Sequence, residues 1–297
     1  MKSFQYLAPI PRFEYLSPRT LSELFEALDG HGKELQVIAG GTDLVIALKE
    51  RTLTPKVVVD LRQLRRELGG IQAASGVLRI GALATFTQVE SSPLVARYAE
   101  ALRQAAANVG TLQIRSIATL GGNLATASPA ADSAPPLIAL GATVTLLSRS
   151  GVRAMPVQEV FAGPKKNGLR QGEIISSIEL PVDDDLRSAW TRAAVRNENV
   201  LSTVSVAVAS TIREGRFGPS RVALGAVAPT PILAEKASGA MTGSEATAEQ
   251  ADRVAGLAAE DSKPISDIRA SAHYRKHLVY VLTKRLIMQM LSESVVP

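Results

Sequence analysis

Cysteine is absent from the 297 residues, and only three histidines are present. Structural disulfides, thiolate-bound zinc and any iron–sulfur cluster held by the chain's own thiolates are therefore excluded. His273 and His277 are spaced to share a helix face, but no third ligand accompanies them and His31 is far off, so no metal-ligating set is expected. Aromatics are scarce, with six Phe, five Tyr and one Trp, so cores must be built mainly from Ala, Val, Ile and Leu. No stretch approaches the apolar length of a membrane span. The N-terminus, interrupted by Pro9 and Pro11, does not read as a signal peptide, and a soluble cytoplasmic protein is expected. Positive charge is not concentrated either. The net charge of +5 comes from 33 basic and 28 acidic residues scattered along the chain, so no nucleic-acid partner is expected. Both common nucleotide fingerprints are missing: no G-x-G-x-x-G follows a strand, and there is no G-x-x-x-x-G-K-[ST].

What is present is ordinary for a folded protein, 46% hydrophobic and 21% charged residues, and long enough for two domains. Thr20 followed by Glu23 reads as a capping box opening a helix that stops near Gly30 to Gly32. Residues 35–39 read as a buried strand, 44–50 as a helix, and 57–61 and 78–82 as further strands. Apolar spacing predicts one longer helix over residues 93–107. A loop of small residues is expected over 111–136, then apolar helix and strand over 137–147, broken at Gly141. Pro181 followed by three aspartates suggests a boundary. Beyond it, residues 201–212 and 221–227 read as paired strands across 215–219, and 265–291 as a helix. That helix has an apolar face of Leu278, Val281, Leu282, Leu286 and Met290.

Two glycine turns carry the chemical information. In Val37-Ile38-Ala39-Gly40-Gly41-Thr42-Asp43-Leu44 a strand ends in paired glycines and a hydroxyl residue. Without Cβ atoms, backbone N–H groups there can approach a phosphate closely, and a following helix adds its positive end. Taken alone, such a segment is equally a tight strand-to-helix turn. The second, Ile117-Ala118-Thr119-Leu120-Gly121-Gly122-Asn123-Leu124-Ala125, repeats the logic and runs through small residues to Asp132. Two phosphate-friendly turns suit a pyrophosphate clamped from two sides.

These segments, with Gln113-Ile114-Arg115-Ser116 ahead of the second, resemble the FAD-binding medium subunit of the molybdenum hydroxylases, which include carbon monoxide and xanthine dehydrogenases. Arg79 to Ala82, Gly172 to Ile175, Glu179 to Pro181, Val222 to Pro231 and Arg269 to Arg275 also fit the pattern, so the likeness spans nearly the whole chain. The resemblance implies an α+β fold. Residues 1–180 would form a vanillyl-alcohol-oxidase (PCMH)-type FAD-binding domain of two α/β subdomains, about 1–56 and 57–180. Residues 181–297 would form a C-terminal domain with a small antiparallel sheet and helices.

By the same resemblance, backbone amides from Ile38 to Thr42 meet the FAD pyrophosphate, with Val37, Asp43 and Leu44 close by. Ala118, Thr119, Gly122 and Asn123 approach from the second turn. Asp132 accepts a hydrogen bond from the cofactor, while Val109, Ala125, Ile174 and Ile175 pack near it. The segment Trp190 to Arg196 matches one that often carries an aromatic, a Lys and an Arg pair; Thr191 or Arg192 stands near the Lys position and only Arg196 of the pair is clear. FAD would be noncovalent, since no Cys exists and no His lies near either turn. No residue of this chain is expected to be catalytic. Molybdenum cofactor and [2Fe-2S] clusters are expected on partners, a large and a small subunit. The four-iron cluster that some relatives carry on a cysteine-bearing insertion should be absent. The C-terminal helix stripe and Trp190 are candidate docking patches, although both suit an ordinary core. Two other readings stay open: a self-contained FAD-dependent oxidase or reductase of the same fold, and a non-catalytic nucleotide-binding scaffold. Neither the substrate nor the acceptor, whether NAD, oxygen or quinone, is written in this chain.

Overall fold

Thr20 begins the first helix as its spacing predicts: its hydroxyl accepts from the Glu23 amide, and the helix runs Leu21–His31 to Gly32 at φ +52°. The reciprocal bond is shifted by one residue, because the Glu23 carboxylate accepts from the Arg19 amide rather than from Thr20. The computed structural model describes residues 9–196 and 198–292.

Three larger sheets organise the described residues, beside a two-stranded ribbon of Phe161–Gly163 and Lys166–Asn167. The first is a three-stranded parallel sheet in the order Glu14–Leu16, Val57–Asp60, Leu35–Ile38. Its middle strand is entirely buried, as its run of valines requires. Leu35–Ile38 lies at an edge, so of its residues only Leu35 is buried, which corrects the expectation of a wholly buried strand. Val57–Asp60, just past the subdomain division expected at about 56/57, is the middle strand of this first sheet.

The second sheet is antiparallel and five-stranded, ordered Ile71–Ala74, Val77–Gly81, Ile174–Pro181, Thr143–Ser148, Gly151–Pro156. Short helices pack on it around Leu78, Ile80, Phe86, Leu102, Leu120 and Leu137. Two expectations fail here. The single helix over 93–107 is two helices, Pro93–Tyr98 and Glu100–Ala107, interrupted at Ala99 with φ −147° and ψ 49°. The break is supported from outside the helix: an amide in the first turn of the second piece, Ala101, donates to the Ser188 hydroxyl on the next sheet. The expected loop over 111–136 holds two helices, Leu112–Ile117 and Leu120–Thr126, and the start of Ala134–Ala139. Thr111 and Thr119 cap the first two, which outweighs the poor helix propensity of Gly121 and Gly122.

The third sheet is an antiparallel meander of Arg187–Ala193, Val204–Arg213, Arg216–Gly225 and Ile232–Leu233. Its hairpin turns at Glu214 and Gly215, so residues 216–219 are strand rather than turn. Strand alternation decides how it docks. Val204, Val206 and Val208 face the helices Glu235–Met241, Ala248–Asp261 and Ala272–Ser292. Ala207 and Ala209 face the core of the second sheet's helices, where small side chains permit close approach. The last helix buries Val279, Leu282, Leu286, Ile287 and Met290 together with Arg275, a stripe turned slightly from the one expected, since Leu278 and Val281 are only partly buried. That stripe is core, as is Trp190 at 6% exposure, so neither is a docking patch.

Candidate functional site

At the end of Leu35–Ile38 the chain bends through Ala39 and Gly40, takes φ +75° at Gly41, and enters the helix Leu44–Lys49. Asp43 stands at the cap position without making a side-chain cap. Among the described residues none accepts a hydrogen bond from the amides of Gly40, Gly41, Thr42 or Asp43. Gly40 to Thr42 are partly buried, where unpaired amides are rare unless a ligand or water meets them. Gly40 is also where the two turns touch. A Cβ on it would lie 2.2 Å from the Ile117 carbonyl oxygen and 2.8 Å from the Ala118 Cα.

The second turn contributes differently. The buried Thr119 hydroxyl accepts from the Gly122 amide at 3.1 Å. The amides of Leu120 and Gly121 donate to Ala84 and Ala82, and those of Ala118 and Asn123 to Ile114 and Thr119. Five of its backbone amides, those of Ala118 and of Leu120 to Asn123, are thus spent inside the protein, while the Thr119 amide and the Asn123 Nδ2 meet no acceptor among the described residues. What it presents is the bare Cα of Gly122, whose added Cβ would sit 3.9 Å from that of Ala39, and the Asn123 side chain. The Asn123 Oδ1 accepts from Ser133 at 2.7 Å, which orients the carboxamide. The row of unpartnered backbone amides therefore belongs to the first turn, and the second adds a close-fitting wall with the Asn123 carboxamide.

Of the other expected residues, Val109 and Ala125 are partly buried against the second core. Ile174 joins the core of the first sheet and Ile175 that of the second, so successive residues of one strand point to opposite faces. Asp132 and Arg192 meet each other. Arg192 Nη1 lies 3.1 Å from Asp132 Oδ2, both side chains being under a tenth exposed, and Ser202 donates to Oδ1 at 2.6 Å. Burial pushes the Asp132 carboxyl above its ordinary range, and the Ser202 hydroxyl and Arg192 guanidinium only partly offset this. Arg192 also donates to the Val200 carbonyl, and Arg196 to that of Asn199. A cleft of about 330 Å³ opens beside Arg192, lined by Arg103, Gln104, Asn108, Trp190 and Thr191. Ser133 and Ser202 carry no signal of their own in the sequence: Ser133 merely follows Asp132, and Ser202 is 70 residues from its partner. Among the described residues no cluster of His, Asp and Glu could hold a metal ion, and no helix is long and apolar enough to cross a membrane.

Paired glycine turns in contact, with unpartnered amides at one strand end and no P-loop, define a dinucleotide-binding chain of a non-Rossmann type. Sequence comparison says which. The family model described as "FAD binding domain in molybdopterin dehydrogenase" matches residues 11–183, and "CO dehydrogenase flavoprotein C-terminal domain" matches 189–290. The chain belongs to the family of FAD-binding medium subunits of the molybdenum hydroxylases, and it is an oxidoreductase subunit whose cofactor is FAD. It is 32% identical to the nicotinate dehydrogenase FAD-subunit of Eubacterium barkeri, over 95% of this chain and 97% of that one. To the xanthine dehydrogenase FAD-binding subunit of Escherichia coli O157:H7 it is 31% identical, over 93% and 96%. Among solved structures it resembles a chain of reconstituted CO dehydrogenase from Oligotropha carboxidovorans, with a TM-score of 0.91, 27% identity, and 96% and 99% of the two chains covered. The likeness extends to the mixed fold, an FAD-binding part followed by a small antiparallel sheet with helices.

Proposed function

We propose that this chain seats the FAD pyrophosphate on the amides of Gly40, Gly41, Thr42 and Asp43, against the wall formed by Gly122 and Asn123, and passes electrons between subunits. The observation that carries the reading is the row of unpartnered amides at the first turn. They offer donors and a helix start where a diphosphate needs them. Bound FAD can take electrons singly and release them as a pair, joining one-electron carriers to a two-electron acceptor. The chain's own part is to bind and orient. Asn123, its Oδ1 held by Ser133, keeps its Nδ2 available to the cofactor, and the Asp132–Arg192 pair keeps a compensated charge beside the cleft at Trp190.

The electrons would come from a small [2Fe-2S] subunit and ultimately from a large molybdenum-cofactor subunit, where the substrate is oxidised. Relatives named as subunits or chains of nicotinate, xanthine and carbon monoxide dehydrogenases support this arrangement. The acceptor would be external to the chain. Binding would be noncovalent, because the chain has no cysteine. We further place the functional division near residues 180 and 181, supported by family matches that end at 183 and resume at 189.

FAD titration of the apo chain tests the reading. Wild type should bind, and acid denaturation should release all the flavin to the supernatant. Gly41→Val and Gly122→Val should stay soluble and lose FAD. The first puts a β-branched residue at φ +75°, the second adds atoms on the surface that faces Ala39. Unchanged affinity in both variants sinks the proposed seat.

A further inference from the structure

The helix Leu112–Ile117 joins two parts of the site and has no role in the function proposed above. At six residues it has no stability of its own, so something else must hold it. Its last residue supplies the carbonyl that lies against Gly40. Its first follows the turn at Val109 and Gly110, where the chain leaves Glu100–Ala107. Gly110 takes φ +55°, and a Cβ there would fall 2.8 Å from Ile114 Cγ2, so the turn is pressed onto the helix.

One side chain ties these pieces together. Arg115, with 12% of its side chain exposed, donates from Nε to Glu90 Oε2 at 3.1 Å. From Nη1 it donates to the Val109 carbonyl at 3.4 Å. That carbonyl stands just past a helix C-terminus, where the dipole favours a cation. Glu90 belongs to Phe86–Ser91, whose other end is fastened to the second glycine turn: the Phe86 amide donates to the Ala118 carbonyl at 3.1 Å, and Thr85 forms a bridge with Thr119. The connections close a ring from the glycine turn through Phe86–Ser91 and Glu90 to Arg115, Val109 and back along Leu112–Ile117.

We infer that Arg115 is a positioning residue, setting the Val109–Gly110 turn relative to the glycine turns and so the shape of the flavin seat. This rests on the assignment of FAD to those turns. A guanidinium can serve a carboxylate and a carbonyl at once because its donors form a fixed fork; an ammonium holds the same pair with less directional control.

The test is FAD titration of the purified apo chain, reading the dissociation constant, the visible flavin bands and the thermal midpoint of the apo form. Arg115→Gln should weaken FAD roughly tenfold, since binding must then order a loosened Val109–Gly110 turn, and shift the flavin bands. Arg115→Lys should recover part of both effects, and Glu90→Gln should change both in the same direction by less. Arg97→Gln, at an exposed ion pair with Asp184, should match wild type. Should Arg115→Gln fail to fold, Arg115→Lys and Glu90→Gln decide the matter, and wild-type binding and spectra in both overturn the inference. A lowered midpoint with unaltered bands and affinity overturns it too, since that is what a purely structural role gives. A wild-type chain that binds no FAD overturns the flavoprotein reading and this inference together.

Discussion

The glycines of the two turns are not equivalent, and their differences predict different losses. Gly40 has no room for a methyl, because the obstructing atoms are backbone of the other turn, 2.2 Å away. Gly122 would meet only the Thr119 hydroxyl at 2.8 Å and the Ala39 methyl beyond it. Gly40→Ala should therefore separate the turns, abolishing FAD binding and lowering the thermal midpoint of the apo chain. Gly122→Ala should keep the midpoint near wild type while weakening FAD, measured by recovery of flavin fluorescence. Equal midpoints for the two variants would show that the turns do not bear on each other. The residues of the two turns were legible from their paired glycines, each with a hydroxyl residue close by, although only the first pair follows a strand and the second lies inside the helix Leu120–Thr126. The sequence did not tell that the turns touch at Gly40, or that the second spends its own amides on Ala82 and Ala84. Those facts depend on chain segments about 40 and 80 residues away.

Elements were legible where a period or cap was local and illegible where a distant segment decided. Val57–Asp60 and Val77–Gly81 follow from their β-branched and apolar runs, whereas the interruption at Ala99 depends on Ser188, far along the chain. The C-terminal helix was legible as a helix, but its buried face includes Arg275, which no apolar template includes. Arg275 is 1% exposed and donates from Nη1 to the carbonyls of Thr203 and Ala226 at 2.9 Å and from Nη2 to Asp267 at 2.7 Å. Arg275→Met should destabilise the protein by about 1–3 kcal/mol for each of the two carbonyls it leaves without this donor, Asp267 keeping its bonds from Arg269 and Ala270. Leu286→Ala on the same helix should cost about 2–5 kcal/mol through its cavity, and Lys276→Ala, on the exposed side, close to nothing. Urea unfolding of the apo chain measures all three. Asp267 adds a pH signature. Hydrogen bonds from the Arg269 side chain and amide, then from Arg275, hold its carboxyl far below the ordinary carboxylate range. A depressed folded-state value stabilises above the unfolded value near pH 4 and is lost as the pH falls through the folded one. Glu173 and Asp252 are lowered as well and act with the same sign. Stability should thus drop on acidification below about pH 4, and Asp267→Asn should flatten that slope. Asp132 has the opposite sign: its raised carboxyl opposes folding as the pH rises past the unfolded value, so a steeper acid loss in Asp267→Asn would contradict this account.

At the scale of the whole molecule, the third sheet decides how far this chain can act alone. Its valine face is covered by its own helices and its alanine face by the helices of the FAD-binding part, leaving neither face as an open substrate chamber. The stripe on the last helix and Trp190, once candidates for docking, are used up in the same packing. The cleft beside Arg192 carries two ion pairs that are already matched, Arg103 with Glu100 and Arg192 with Asp132, and no described metal-binding cluster adjoins it. The chain has no thiolates to hold a cluster, and on the function proposed above electrons reach its FAD from a partner subunit. The isolated chain should therefore bind FAD and yet fail to oxidise aldehydes, purines or N-heterocycles in a dye-reduction assay. Co-expression with a molybdenum subunit and an iron–sulfur subunit should restore turnover with at least one of these classes. The same chain given a chemical reductant should pass electrons to the dye, which separates a working flavin from a missing partner. Sustained substrate-dependent dye reduction by the lone, metal-free chain would instead mark it as a self-contained flavoenzyme.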